Sequence, residues 1–142
     1  MDSLAESTTP ATPTVYCTRW TDMWNRLIPA TDLVTADCQV YFGRRPRTER
    51  PTTTTGPHEL QGVIDTIRKN LPGIHYRFDS PPLYQSESNT GGIITLLWNV
   101  MVPGEGTRTG IDLLRHEGVW ITEVWSITGD FELPAIQSSH CS

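Results

Sequence analysis

The stretch from residue 92 to residue 128 constrains this chain most, because it is largely apolar, strand-forming sequence divided by short runs of turn residues. The turn sequences PGEG (103–106) and EG (117–118) are typical of hairpins. They divide the stretch into predicted strands over 93–102, 107–116 and 119–128. Short turns join antiparallel neighbours, so we expect a meander. One carboxylate, Asp112, lies in the middle of its central strand.

The clearest helical pattern lies upstream, over residues 14–28. Apolar side chains recur there on one face of an amphipathic helix, at Tyr16, Trp20, Met23, Trp24 and Leu27. Pro29 should end this helix, and Thr31 or Asp32 can cap a short second one through residue 36. The two tryptophans either pack in the core or line a cavity for a flat, apolar ligand.

Weaker patterns fill the region between. Residues 38–43 predict a short strand, and residues 44–55 a polar loop with four arginines, of a length often found in lids. Pro57 and an apolar stripe predict a third helix over 56–71. Alternation over 74–79 predicts a strand with Tyr76 and Phe78 on its apolar side, and a weak strand follows at 83–86.

The two ends of the chain are poor in apolar residues. Residues 1–13 are rich in Ser, Thr and Pro, and they cannot bury enough surface to offset the entropy of ordering. We therefore expect a disordered N-terminal tail over 1–13, one domain over 14–130 and a C-terminal tail over 131–142.

Composition excludes several classes of function. The chain has 142 residues, a net charge of −5 and no basic stripe, so nucleic acid is not an expected partner. Its apolar runs are far shorter than the ~20 residues that span a bilayer, and its start lacks a signal-peptide pattern, so no membrane is expected. The three cysteines are odd in number and lack CxxC spacing, which favours a reducing, cytoplasmic location.

Metal and cofactor signatures are also lacking in the sequence. The four histidines do not show metal-ligand spacing. The chain carries no Walker loop, dinucleotide fingerprint or nucleophile elbow. We therefore predict neither a metal nor a cofactor.

Helices followed by an antiparallel meander predict an α+β fold. The long strand over 93–102 is apolar on both sides, so both faces of the sheet need cover. The helices can cover one face, and a second copy of the chain is the simplest cover for the other.

The element order resembles a known family, together with the motif that runs from W98-N-V through P103-G-E-G and T109-G-I-D112-L-L to G118-V-W-I121-T-E123-V-W125. It is similar to the SnoaL-like proteins of the nuclear-transport-factor-like superfamily, whose relatives include ketosteroid isomerase, limonene epoxide hydrolase and polyketide cyclases. The resemblance covers residues 14–130. It implies a cone-shaped, curved antiparallel sheet around three N-terminal helices (a cystatin-like α+β barrel), an apolar pocket, and a homodimer through the convex sheet face.

The resemblance transfers to individual residues unevenly. Asp112 falls where ketosteroid isomerases carry a buried acid, but the position of their catalytic base is Phe42 here, which argues against steroid isomerisation. The last-strand aspartate of limonene epoxide hydrolases corresponds to Ser126, which argues against that mechanism. The IxExW spacing at Ile121 resembles SnoaL-type cyclases, although the acid that follows, Asp130, lies one residue further along than theirs.

Asp112 is the leading candidate for chemistry. Its same-side neighbours Gly110 and Leu114 are small or apolar, so a carboxyl facing a cavity there should have a raised pKa and serve as a proton donor or acceptor. Gly110 would leave room for a ligand to approach. The alternative is that Asp112 faces outward and pairs with an arginine at a dimer contact.

The remaining site candidates follow from strand parity. Trp98, with Leu96 and Val100 on its side, should line the pocket, and Tyr76 is the preferred phenolic donor. Tyr41 is a further donor, although a one-residue slip would turn it outward. Glu123 is expected outside and Val124 and Ser126 inside, unless a bulge near Thr122 exchanges them. The predicted substrate-binding residues are Trp20, Trp24, Tyr41, Phe42, Phe78, Leu96, Val100, Gly110, Leu114, Val124 and Ser126, and the predicted catalytic residues are Asp112, Tyr76 and Trp98.

These observations favour a cofactor-free cyclase or isomerase that acts on a hydrophobic small molecule of the polyketide or terpenoid kind. Much of its rate would come from holding the substrate in a reactive conformation. The alternative class is a non-catalytic ligand-binding or dimerisation module, and epoxide hydrolysis is a weaker possibility.

Overall fold

The computed structural model describes residues 12–43 and 52–137 as two α-helices and one 3-10 helix against a curved, unclosed sheet of seven strands. In chain order the elements are α1 (Pro13–Trp24), the 3-10 helix (Ala30–Asp32), β1 (Val34–Phe42), β2 (Thr52–Thr55), α2 (Gly56–Asn70), β3 (His75–Arg77), β4 (Leu83–Ser86), β5 (Gly91–Val102), β6 (Gly106–Glu117) and β7 (Trp120–Thr128).

The predicted meander forms the centre of the sheet. The strand order is β2-β1-β7-β6-β5-β3, and β4 pairs with the other half of β5. β5 and β6 pair along their whole length, from Gly91 opposite Glu117 to Val102 opposite Gly106. The positive φ of Gly104 and Gly106 (82° and 98°) is the conformation that the PGEG turn requires of glycine.

Three expectations about the architecture need correction. The sheet is mixed rather than antiparallel, because β1 pairs in parallel with β7. Only two of the three expected helices are α-helices, because the expected second helix is a single 3-10 turn over residues 30–32. The sheet also stays open, with β2 and β3 at its ends, so the described residues form a curved, open sheet and not a closed barrel.

Some element boundaries also differ. Helix α1 ends at Trp24 and not at Pro29, because Arg26 adopts a left-handed backbone (φ 62°), and Leu27 is consequently exposed. Strand β1 begins at Val34, where a second helix was expected. Residues 52–55 of the expected loop form β2, while residues 44–51 lie outside the described part of the chain.

Both tails lie partly outside the described residues, namely at 1–11 and 138–142. The described part of the C-terminal tail is attached to the sheet by hydrogen bonds. The backbone N–H of Leu133 donates to Oγ1 of Thr109 (2.7 Å), and that of Ile136 to Oγ of Ser80 (2.8 Å).

The face of the sheet that we call inner packs under the helices and carries the core. Leu96, Leu114 and Val124, together with Trp20 and Met23 of α1, are almost wholly buried there. A bulge sets this pattern in β7: Arg115 pairs with Glu123 and His116 with Ile121, which leaves Thr122 as the extra residue. The bulge brings Ile121 to the inner face with Val124 and Ser126, while Glu123 stays on the outer face, as expected.

Gly110 accommodates an aromatic ring. It lies opposite Trp98 in the β5–β6 ladder, and a Cβ built on Gly110 would come within 3.0 Å of three atoms of the Trp98 ring. The expectation that Gly110 leaves room for a ligand is therefore wrong, because the indole of Trp98 already occupies that space.

We expect Gly110→Ala to destabilise the protein by roughly 1–3 kcal/mol, because the added methyl group must displace the Trp98 ring from a packed core. Gly62→Ala is the matched control: Gly62 is exposed inside α2 with open space around its Cβ position, so alanine should stabilise the helix by about 0.5–1 kcal/mol. Urea unfolding of both variants measures the two effects, and equal stability of the two would contradict the role assigned to Gly110.

Candidate functional site

A cavity of about 390 Å³ lies between the inner face of the sheet and the two α-helices. Its size is within the range of small-molecule sites. Eight of the predicted site residues line it: Trp20, Trp24, Phe42, Tyr76, Trp98, Val100, Asp112 and Ser126. Val63 and Ile67 of the apolar stripe of α2 complete its far wall.

Aromatic rings form a continuous wall along this cavity. The Trp24 ring lies 6.1 Å from that of Phe42, edge-on, and 5.3 Å from that of Tyr76. The Tyr76 ring in turn lies 5.8 Å from that of Trp98. The side chain of Asn25 holds the backbone of Tyr76 through two 2.8 Å hydrogen bonds, one donated by Nδ2 and one accepted by Oδ1.

Six predicted substrate-binding residues do not line the cavity. Leu96, Leu114 and Val124 share its face of the sheet but are fully buried in the core beneath it. Phe78 lies beyond the end of β3 and packs against the core edge. Gly110 is covered by Trp98, as described above.

Tyr41 is the sixth, and it points to the outer face. Its hydroxyl donates to Oε2 of Glu123 at 2.9 Å, and its ring lies 5.8 Å from that of Trp125. Because Phe42 faces the cavity, its neighbour in the strand must face the other way. The prediction that Tyr41 contacts a ligand in the cavity is therefore wrong, because its side chain lies on the outer face of the sheet.

Asp112 is buried at the inner end of the cavity, with 3% of its surface exposed. Nε1 of Trp20 donates to Oδ2 of Asp112 at 2.8 Å, which joins helix α1 to strand β6. Burial raises the pKa of Asp112 from 3.8 to about 6, because water no longer solvates the charged form, although Ser126, Trp98 and Trp20 offset part of this effect. The carboxyl can therefore exchange a proton near neutral pH.

Two buried polar atoms of the site have no hydrogen-bond partner among the described residues. They are Oδ1 of Asp112 and Nε1 of Trp98, although the indole of Trp98 and the hydroxyl of Ser126 lie near enough to Asp112 to lower its pKa. Leaving such atoms unpaired costs ~1–3 kcal/mol each. An oxygen-bearing ligand in the cavity could pair with both, because Trp98 offers a donor and Asp112 an acceptor or a donor.

Sequence reasoning missed three polar lining residues, Arg108, Thr128 and Thr21. The parity of β6 gave a usable signal for the first, since Arg108 lies four residues before Asp112 and so on the same face. The parity of β7 gave the same kind of signal for Thr128, which lies two residues after Ser126 and so on the same face.

The described residues hold no cluster of three or more His, Cys, Asp or Glu side chains that could bind a metal ion. In the same part of the chain, neither helix has the length and apolarity needed to cross a membrane. Both cysteines described, Cys17 and Cys38, are buried, and burial raises the pKa of each thiol to about 12, so neither is a thiolate at neutral pH.

No protein-family model and no curated protein matches this sequence. Solved structures do match its fold. A proposed isomerase of the SnoaL-like family from Agrobacterium tumefaciens is 13% identical, with a TM-score of 0.62 over 82% of this chain and 96% of the other. An NTF2-like protein of unknown function from Mesorhizobium loti is 13% identical, with a TM-score of 0.62 over 82% and 90%. A proposed polyketide cyclase from Acidithiobacillus ferrooxidans is 14% identical, with a TM-score of 0.55 over 83% and 88%.

The raised pKa of Asp112 predicts how stability depends on pH. The folded protein keeps this proton up to about pH 6, whereas the unfolded chain releases it near pH 3.8. The contribution of Asp112 to the free energy of unfolding should therefore fall as pH rises from 4 to 6, by about 3 kcal/mol in total. Asp112→Asn removes this loss. The free energy of unfolding of the variant minus that of the wild type should therefore be about 3 kcal/mol larger at pH 8 than at pH 4.

Urea unfolding at pH 4 and pH 8 measures this difference. Asp37→Asn is the control, because Asp37 is exposed and its replacement removes the same formal charge. If the stability difference between Asp112→Asn and the wild type is the same at both pH values, the raised pKa is contradicted.

Proposed function

This chain has the fold of the SnoaL-like, NTF2-like superfamily, and on that premise we propose that it is a cofactor-free cyclase or isomerase of a hydrophobic small molecule, of the polyketide or terpenoid kind. One observation carries the proposal: a buried carboxyl with a pKa of about 6 and an unpaired oxygen lies in an aromatic cavity beside an unpaired indole N–H.

The residues would act as follows. Trp20 fixes Oδ2 of Asp112, which leaves Oδ1 to take a proton from the substrate or to return one. With a pKa of about 6, roughly one carboxyl in ten is protonated at pH 7, so both states are accessible during a turnover. Nε1 of Trp98 would donate to a substrate carbonyl oxygen as negative charge develops on it. The aromatic wall would hold the apolar chain in a folded conformation.

Proton exchange tests this role without knowledge of the natural substrate. In D2O, the wild type should catalyse deuterium incorporation next to the carbonyl of some members of a panel of aromatic and terpenoid ketones, measured by mass spectrometry. Asp112→Asn should lower the rate by about 10²-fold or more, because amide groups do not serve as bases. Asp37→Asn should retain the wild-type rate.

Two outcomes would contradict the assignment. Full exchange activity in Asp112→Asn would remove Asp112 from the chemistry. Ketones that bind in the cavity without any enzyme-dependent exchange would favour the non-catalytic ligand-binding module.

We also propose that a second copy of the chain covers the outer face of the sheet. Ile111 and Ile127 lie side by side across β6 and β7, with 41% and 61% of their surfaces exposed, and Phe131 next to this pair is 77% exposed. Beside them Arg115 lies over the ring of Trp125 (5.2 Å to its centroid) and pairs with Glu123. Such a mixture of exposed aliphatic, aromatic and arginine side chains is typical of protein interfaces.

Ile127→Asp should convert the protein from dimer to monomer in light scattering, because each contact would then bury two carboxylates. Leu27→Asp is the matched control, since Leu27 is 71% exposed and follows the end of α1, away from this face. A wild type that is already monomeric at high concentration would refute the dimer, as would an Ile127→Asp variant that remains dimeric.

A further inference from the structure

Arg108 is the one cationic residue among the described residues that line the cavity. It lies on the same side of β6 as Asp112, four residues earlier. At ~3.4 Å per residue, the two positions are roughly 14 Å apart along the strand. The cavity therefore has a carboxyl at one end and a guanidinium at the other, with aromatic and aliphatic walls between them.

The two ends differ in their access to water. The Asp112 end is closed, because Asp112 and Trp20 are 3% and 2% exposed. At the other end the Arg108 side chain is 38% exposed, and Thr128 of the neighbouring strand is exposed as well. The cavity thus opens beside Arg108, and a ligand that enters there passes this side chain.

At this opening, the guanidinium of Arg108 has more N–H donors than its ion pair with Glu105 uses. Its partner among the described residues is Glu105, three residues earlier in the PGEG turn, which accepts from Nη2. A guanidinium has five N–H groups, and exposed ion pairs of this kind stabilise a fold little. The planar fork also matches the geometry of a carboxylate, for which it is the preferred partner in proteins.

We propose that the cavity takes an elongated, apolar carboxylic acid, whose carboxylate pairs with Arg108 at the opening while its uncharged, oxygen-bearing end reaches Asp112 and Trp98. An acid in the reverse orientation would place its carboxylate against Asp112 in a dry environment, where like charges repel strongly. Arg108 therefore sets both the class of ligand and its direction in the cavity. This inference rests on one part of the proposed function, namely that the cavity binds a small molecule. It does not depend on proton transfer at Asp112.

Calorimetric binding of matched acids and esters tests the inference. The probes are 4′-hydroxybiphenyl-4-carboxylic acid and 10-hydroxydecanoic acid, each with its methyl ester. Arg108→Gln should weaken binding of the acids by about tenfold and that of the esters less than twofold. Arg77→Gln is the matched control: Arg77 has similar exposure (41%) and a similar pairing with a nearby acid, Asp79, but lies next to Tyr76 and faces away from the cavity.

Glu105→Gln gives a test of opposite sign. If Glu105 competes with the ligand for the guanidinium, removing its charge should tighten binding of the acids several-fold and leave the esters unchanged. The alternative is that the Arg108–Glu105 pair only stabilises the turn. In that case Arg108→Gln and Glu105→Gln should each lower the free energy of unfolding slightly, and each should change the affinity for acids and for esters to the same extent.

The inference is overturned if neither acid binds, if the esters bind the wild type as tightly as the acids, or if Arg108→Gln weakens both to the same extent. None of these measurements depends on turnover. The proposed function can therefore fail in the proton-exchange experiment while the ligand class stands, and the reverse is also possible.

Discussion

The hydrogen bond from Trp20 to Asp112 connects the two halves of this protein. It joins the helix that caps the inner face to the central strand of the sheet, and both partners are almost wholly buried. A buried carboxyl that lost this donor would keep its desolvation cost with one compensating contact fewer. The same bond orients the carboxyl, since it occupies Oδ2 and leaves Oδ1 unpaired. Stability and the proposed chemistry therefore depend on one contact.

The shape of the cavity depends on small irregularities in the sheet. Gly110 lets the Trp98 ring lie flat across β6, which places its indole beside Asp112. The extra residue at Thr122 changes the pleat of β7, so that Ile121 packs in the core while Ser126 still faces the cavity. A regular ladder would carry one of these two residues to the outer face. Asn25 acts in the same way at the short strand β3, where its side chain fixes the backbone that carries Tyr76.

Much of the site could be predicted because strand parity is a strong signal in a long meander. Asp112, Trp98, Val100 and Ser126 were placed correctly at the cavity from alternation and turn positions alone. The errors occur where position depends on a distant partner. Tyr41 was wrongly assigned to the cavity. The face on which it lies depends on the parallel pairing of β1 with β7, about eighty residues later in the chain, and the local sequence does not show this pairing. Gly110 was expected to leave room for a ligand, because its cross-strand neighbour, Trp98, could not be identified before the strand pairing was known.

The sequence by itself determined the elements and their polarity: the hairpin turns, the apolar stripe of each helix and the isolation of one carboxyl in an apolar strand. These are local properties, set by backbone sterics and by the period of side-chain burial. Only the tertiary structure decided that β1 pairs in parallel with β7, that Trp20 rather than a tyrosine donates to Asp112, and that Arg108 lies at the opening. Each of these depends on contacts between residues far apart in the chain, and local periodicity carries no information about them.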